Sequence, residues 1–421
     1  MTTTLEALER TAERSILRFI RWLDSYGETS NDYQDFFASP IGGKAKALYY
    51  RRPALGTLAV APMVLCEALF PSSRKWFWRR QRFPIADSHF AMGFAYLFRI
   101  SGERTHYERA LHFLDVLEKS RCPGYDRFCW GYPFDWETRN GTVPANTPLI
   151  TTTPYAYEAF LAAYRIDRNP SRLSILRSIA EHACHDIRDQ PVSPDAATCS
   201  YSPRGQTGVV NASAYRAFLL RSAADLFSDP HYGERSDRNL NFVLRSQRED
   251  GSWFYAMDEV RDFIDHFHTC FVLKALAKIE RETGHEGCRR AIRKGLAYYL
   301  GNLFDPEGLP RPFSRPPRLT VYRQELYDYA ECINLCVLLI PGYPELERTL
   351  RRVLSDLFEN WQNGDGSFRS RKLHFGWDNV PMHRWGQSQL FRSLCFFLYE
   401  RRTSREGGTG STGDVRNLRP I

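Results

Sequence analysis

Apolar and polar positions fall in repeating blocks along this chain. A polar or aromatic lead-in comes first, then a run that is apolar on nearly every helical face, then an amphipathic run with one polar face. The lead-ins begin at Asp87, Pro154, Asn211, Asp265, Asp328 and His383, at spacings of 67, 57, 54, 63 and 55 residues. Amphipathic stretches lie between them at 105–119, 171–186, 232–245, 286–300 and 345–360, with a sixth at Leu5–Tyr26. Within 105–119, Ala110, Phe113, Leu114 and Leu117 recur near the helical period. Runs that are apolar all round belong inside a protein, and runs with one polar face belong outside. Six of each, paired in a long quasi-repeat, predict an all-α chain folded as a single (α/α)6 toroid, with the lead-ins gathered at one mouth.

The repeat continues without a linker-like break, which predicts one domain over 1–402. The Gly/Ser/Thr-rich segment 403–421 reads as a disordered tail. No run of about 18 apolar residues suggests a membrane span. Glu6 and Glu9 stand where a signal segment would be basic, so the expectation is a soluble, cytoplasmic protein. Ten cysteines are scattered without a Cys-x-x-Cys pair, and Cys332 and Cys336 lie one turn apart in an apolar run. They read as buried thiols of a reducing compartment and not as metal ligands. His266 and His268 are two apart, on nearly opposite sides of a helix, and His-Glu-x-x-His is absent, so neither a metal nor a cofactor is expected. The net charge of +8 is spread along the chain, which argues against a nucleic-acid groove. Three basic clusters, 79–82, 315–323 and 369–372, are either solvated surface or a rim that attracts an acidic molecule. The oligomeric state is left open.

The lead-in loops mix aromatic rings with carboxylates. Trp130, Asp135, Trp136 and Glu137 share one loop, Trp253 precedes Asp265 and His266, and Tyr322, Arg323, Tyr327, Asp328 and Glu331 form a third group. Trp377, Asp378, Asn379, His383, Arg384 and Trp385 form a fourth. Flat aromatic faces beside carboxylates and amides suit a sugar, which needs stacking on its C–H faces and hydrogen bonds to its hydroxyls. Carbohydrate is therefore the expected partner. Asp87, His89, Tyr155 and Asn211 join the binding candidates, and at least two of the five tryptophans should be pocket walls. Asp87, Asn211, Asp265 and Asp328 keep two compatible readings, as helix caps or as ligands. The recurrence of Gln-x-x-Asp-Gly-Ser-aromatic at Gln247–Trp253 and Gln362–Phe368 reads as a turn with an aromatic plug.

Those two turns resemble the repeat signature of terpenoid-cyclase and protein-prenyltransferase toroids. That resemblance implies an isoprenoid enzyme, but the His, Asp, Arg and Asn of the lead-ins argue against a greasy barrel. The whole chain looks more like the six-hairpin carbohydrate-active toroids: glycoside hydrolases, uronate lyases and sugar epimerases. It is also similar to proteins encoded in bacterial exopolysaccharide clusters, in which segments like Phe263–Thr269 and Met382–Gln387 recur. The resemblance implies polysaccharide metabolism.

Three readings follow. A glycosidase needs two carboxyl groups flanking the bond, for which Asp265 and Asp378 are the expected pair. A uronate lyase or epimerase needs a base and an acid, expected among Tyr322, Tyr327, Tyr329, His266 and His383, with Arg323, Arg384, Asn211 and Asn379 neutralising a carboxylate. The third reading is a non-catalytic toroid that binds a glycan or a protein. In every case Asp265 or His266, in one first helical turn, is expected to face the cavity.

Overall fold

The computed structural model describes residues 4–317 and 320–407. Its helices, in chain order, are α1 (Leu5–Tyr26), α2 (Asp35–Ala38), α3 (Pro40–Arg51), α4 (Pro53–Leu69), α5 (Arg74–Phe77), α6 (Pro84–Ser101), α7 (Arg104–Lys119) and α8 (Thr153–Asp167). They continue with α9 (Pro170–Glu181), α10 (Val210–Phe227), α11 (Pro230–Arg245), α12 (His266–Thr283), α13 (Glu286–Asn302), α14 (Leu326–Leu339), α15 (Leu346–Asp356) and α16 (Ser388–Gly407). Helices α6, α8, α10, α12, α14 and α16 touch in that order, and α16 returns to α6. Outside them, α7, α9, α11, α13, α15 and α1 pack chiefly on α6, α8, α10, α12, α14 and α16 in turn. This is the (α/α)6 toroid that the repeat predicts. The inner helices are buried along most of their length because they are apolar nearly all round.

The two ends of the toroid differ. At the far end the inner-to-outer connections are tight, with Gly102, Arg168, Ser228 and Gly284 in the left-handed region and Pro170 and Pro230 opening the next helix. At the mouth the returning loops are long and carry the small antiparallel sheets. These are β1 (Trp136–Thr138) with β2 (Gly141–Val143), β3 (Asp189–Ser193) with β4 (Ala196–Cys199), and β5 (Ile264–Asp265) with β6 (Phe313–Arg315). The last is β7 (Tyr322–Glu325), β8 (Arg371–Leu373) and β9 (Trp377–Asp378). Loop length thus confines the lead-in chemistry to one end.

Residues 27–83 lie outside the repeat and form a helical insertion that includes α3 and α4. It is tied to the mouth by Arg74, which donates to Asp378 at 2.6 Å, and by Glu67, which accepts from Arg371 at 2.6 Å. Helix α16 runs five residues beyond the expected boundary at 402. The rest of the expected tail, 408–421, and Arg318 of one basic cluster lie outside the described residues. All ten cysteines are free, and nine are buried. No single described helix is long and apolar enough to cross a membrane.

The two Asp-Gly-Ser turns are architecture. Asp250 Oδ1 accepts from the backbone and hydroxyl of Ser252, and Gln247 Nε2 donates to Gly251 and to Ala291 of α13. Asp365 and Gln362 repeat the arrangement, with Gln362 reaching Ser15 of α1. Each turn therefore stitches one outer helix to the next. Gly251 has φ +93°, and a Cβ there would lie 2.3 Å from the Lys294 carbonyl oxygen. Gly251→Ala combines left-handed strain with a backbone clash, so thermal melting should report a loss of more than about 1 kcal/mol.

Candidate active site at the mouth of the toroid

The first turn of α12 lines a cleft at the mouth. Asp265 caps the helix: its Oδ1 accepts from the His268 backbone N–H at 3.0 Å. Its Oδ2 accepts from His268 Nδ1 at 2.6 Å. A residue and its i+3 neighbour lie on one helical face, so a single carboxylate both caps the helix and orients the imidazole. The Nδ1–H···Asp265 bond leaves Nε2 as the basic nitrogen. The His268 ring sits among Tyr255, at 4.7 Å between centroids, Phe263, Phe267 and Phe271, and its side chain is 21% exposed. Asn211, on the first turn of α10, lines the same cleft. Its buried Oδ1 has no hydrogen-bond partner within the protein. A buried amide oxygen left unpartnered is uncommon and is available to a ligand hydroxyl.

A second acid stands near Asp265. Asp328 is fully buried on the first turn of α14, and neither carboxyl oxygen has a hydrogen-bond partner. Burial, reinforced by the neighbouring charges of Glu325 and Asp265, pushes its pKa well above the usual carboxylate range, so it is held as the neutral acid. Glu325 is bound by Arg371, which also carries Glu67. Trp385 stacks on Tyr327 at 4.5 Å and 11° and meets Tyr33 and Phe267, forming a half-buried aromatic wall. Arg384 is locked onto Asp32 by two hydrogen bonds and lies 4.5 Å over the Tyr132 ring.

Deeper along the axis the interior is ionic. Lys274 pairs with Glu331, and Lys278 and Arg392 pair with Glu158. Arg392 also lies 3.5 Å from His89 Nδ1, and His89 Nε2 is buried without a partner. Burial, with the charges of Arg392, Lys274 and Lys278, pushes His89 well below its usual pKa, so it is neutral. Tyr155 shares a hydrogen bond with Tyr215 at the same level.

Other candidates are placed elsewhere. His266 turns outward, where Nδ1 bonds the Leu303 carbonyl at 3.1 Å and Nε2 bonds the Tyr299 hydroxyl at 2.7 Å. It is a satisfied core histidine, and it is Asp265 with His268 that faces the cleft. Asp378 is buried in its ion pair with Arg74 and accepts the Val380 N–H, so it is not brought together with Asp265 as a carboxyl pair. His383 Nε2 bonds the Gly27 carbonyl at 2.9 Å, with the ring edge-on to Phe90 and Trp22. Tyr322 lies beneath Arg371, and desolvation pushes its phenol up, the reverse of what a tyrosinate base requires. Trp130 is wholly buried and donates to the Leu117 carbonyl. Trp253, also buried, donates to Val243 while its ring backs the cleft. Trp136 is a half-buried mouth residue against Tyr132 and Tyr201, and Trp377 packs on Trp361 under Arg369. Asp87 is held by Arg82, Asp135 accepts the Ala145 N–H, and Arg323 is exposed on β7. Of the four residues with two readings, Asp265 alone caps its helix.

The cleft and interior residues not anticipated are His268, Glu158, Lys274, Lys278 and Arg392. The signal for the two lysines was their one-turn spacing inside the otherwise apolar run Phe271–Ile279. Away from the mouth, Cys184 and His185, in the irregular turn after α9, and His231 of α11 place their ligand atoms within 4.8 Å of one another. They are a group that could hold a metal ion.

Fold and site together define a class: an (α/α)6 toroid with a hydrogen-bonded Asp–His pair in an aromatic cleft at one mouth. No protein-family model matches the sequence, and no curated protein matches it. Solved structures match in fold. The cellobiose 2-epimerase of Bacillus thermoamylovorans aligns over 76% of this chain and 88% of its own, with a TM-score of 0.60 at 9% identity. A polysaccharide lyase aligns over 83% of this chain and 98% of its own, with a TM-score of 0.55 at 10% identity. The GH76 α-mannanase of Bacteroides thetaiotaomicron aligns over 76% and 88%, with a TM-score of 0.54 at 10% identity. At these identities the likeness is one of fold.

Buried histidines, His266 and His383 among them, make stability depend on acid. Burial pushes His266 down to about 3 and His383 to about 4. The folded chain keeps both neutral, while the unfolded chain protonates them near pH 6.5. Their contribution is therefore present above that pH and lost as pH falls toward about 4. Asp35, Asp87 and Glu282, each raised to about 7 by burial, work in the opposite sense, so the readout is a difference of slopes. The signed slope of melting temperature against pH between 6.5 and 4 should be lower in His266→Gln than in the parent, whatever the variant's absolute stability.

Proposed function

We propose that the protein is a carbohydrate-active enzyme that works by proton transfer at a sugar carbon, as an epimerase or a uronate lyase. The observation that carries this reading is the Asp265–His268 pair, whose Nε2 is free to act as a base in a cleft that also holds the unpartnered Asn211 Oδ1. Asp265 fixes the tautomer, His268 takes the proton, and the stacked, half-buried Tyr255 and Phe263 that line the cleft offer an aromatic surface to a sugar ring. The epimerase and the lyase among the fold neighbours support the same chemistry. An acidic polysaccharide or oligosaccharide, of the kind that bacterial exopolysaccharide clusters make, is the substrate class we assign. The exposed Arg139, Arg204 and Arg323 on the mouth segments favour it. Ten free thiols fit a reducing, cytoplasmic setting.

Hydrolysis is the second reading, and Asp328 favours it: a neutral, unpartnered buried acid is what protonates a leaving oxygen. The two readings separate by variant and by product. His268→Gln should lower kcat about 100- to 10,000-fold with the fold unchanged by circular dichroism. Asp265→Asn should also lower kcat, while Asn still caps the helix. The products would be a sugar carbon deuterated from solvent D2O or an ultraviolet-absorbing unsaturated uronate. New reducing ends, abolished by Asp328→Asn and spared by His268→Gln, would replace proton transfer with hydrolysis. Saccharide binding without any turnover would make the toroid a binding protein.

A further inference from the structure

The α3–α4 hairpin carries a surface that the toroid does not need. Thirteen large apolar side chains are exposed among the described residues, and eight of them lie between Ile41 and Trp76. Leu58 is 73% exposed, Phe70 67% and Trp76 87%. Leu55, Leu58, Leu65 and Leu69 are spaced three, seven and four apart, which aligns them along one face of α4. The opposite face holds Gly56, which fits tightly against Tyr49 of α3, and the buried Met63. The helix is thus anchored along one narrow strip and shows its leucines to solvent.

Charge says what covers that face. Lys44, Arg51, Arg52, Lys75 and Arg79 are exposed around it. The single acid within 40–80 is Glu67, and Arg371 already holds it. A second copy of the chain would set these cations against their like. An anionic lipid surface satisfies both the apolar face and the basic rim. Neither helix is long and apolar enough to span by itself: Pro62 lies inside α4, and α4 bends by 116° into Pro71–Phe77. Phe70 and Trp76 stand at that bend, as aromatic residues do at a lipid–water boundary.

We propose that the α3–α4 hairpin docks this protein on an anionic bilayer, lying flat in the interface with its leucines, Phe70 and Trp76 at the acyl boundary. The Arg74–Asp378 and Glu67–Arg371 pairs then hold the mouth of the toroid beside the membrane. This inference stands apart from the proposed reaction.

The test is sedimentation of the full chain with vesicles of phosphatidylcholine, with and without phosphatidylglycerol. The protein should pellet with the anionic vesicles and far less with the neutral ones, and added salt should release it. Tryptophan emission should shift to the blue on binding, and Trp76→Phe should remove that shift. Leu58 and Leu65 are exposed, so Leu58→Glu with Leu65→Glu leaves the core untouched and should lower vesicle partitioning more than about tenfold. The proposal is overturned if the parent protein stays in the supernatant with anionic vesicles, or if the double variant binds as well as the parent. It is equally overturned if light scattering finds a dimer that Leu65→Glu dissolves and vesicles do not compete with it.

Discussion

The mouth exists because the ring closes, and the ring closes where Gly93 of α6 meets Phe391 of α16. A Cβ on Gly93 would lie 2.4 Å from the Phe391 ring, so only glycine lets the first and last inner helices approach this closely. Phe19 of α1 stacks on Phe391 at 5.4 Å and also meets Phe90, so the N-terminal helix serves as the outer partner of the C-terminal one. Glu9 binds Arg401 and Arg405, and Glu13 binds Arg402, along the same seam. Six inner helices running one way then bring six N-termini to one rim. Each N-terminus leaves orphan backbone N–H groups and a partial positive charge, which is why carboxylates such as Asp265 and Glu325 collect there.

The interior obeys a second constraint. A charge taken out of water is tolerated only when it is paired, and the axis satisfies this with Lys274–Glu331 and Lys278–Glu158–Arg392. Those pairs plug the barrel below the mouth. Asp328 has no such partner and escapes the cost by holding its proton. Neutral His89 is its counterpart among the bases. The chemistry is therefore concentrated in the upper layer, where Asp265 and His268 are paired with each other while the histidine remains partly open to solvent.

Much of the fold was legible. Five of the six inner helices begin within three residues of the predicted lead-ins, and α16 begins five residues after His383, because an apolar run broken by a polar residue or proline marks a helix start wherever it packs. The turn motifs were legible as architecture for the same local reason. The insertion at 27–83 was not, since it follows no repeat. The site was half legible. Asp265 was named, but with His266 as its neighbour, whereas the i+3 position His268 shares its face. Trp130 and Trp253 looked like sugar platforms, yet each uses its indole N–H on the backbone carbonyl of an outer helix, Leu117 and Val243. An aromatic plug and an aromatic platform have the same composition.

The sequence by itself determined the period, the count of helical hairpins, the end of the barrel that carries the polar groups, and the thiols as core residues. These depend on residue spacing along a single helix or loop, and the chain contains that spacing. Only the tertiary structure decided which of several equivalent acids and histidines meet. Helical periodicity sets the angle between two side chains on one helix. It does not set the angle at which that helix faces the ring. Asp378 is taken by Arg74 and Arg384 by Asp32, partners more than 300 positions away in the chain. Such long-range pairings remove candidates from the site, and what they leave free around His268 is the chemistry that remains.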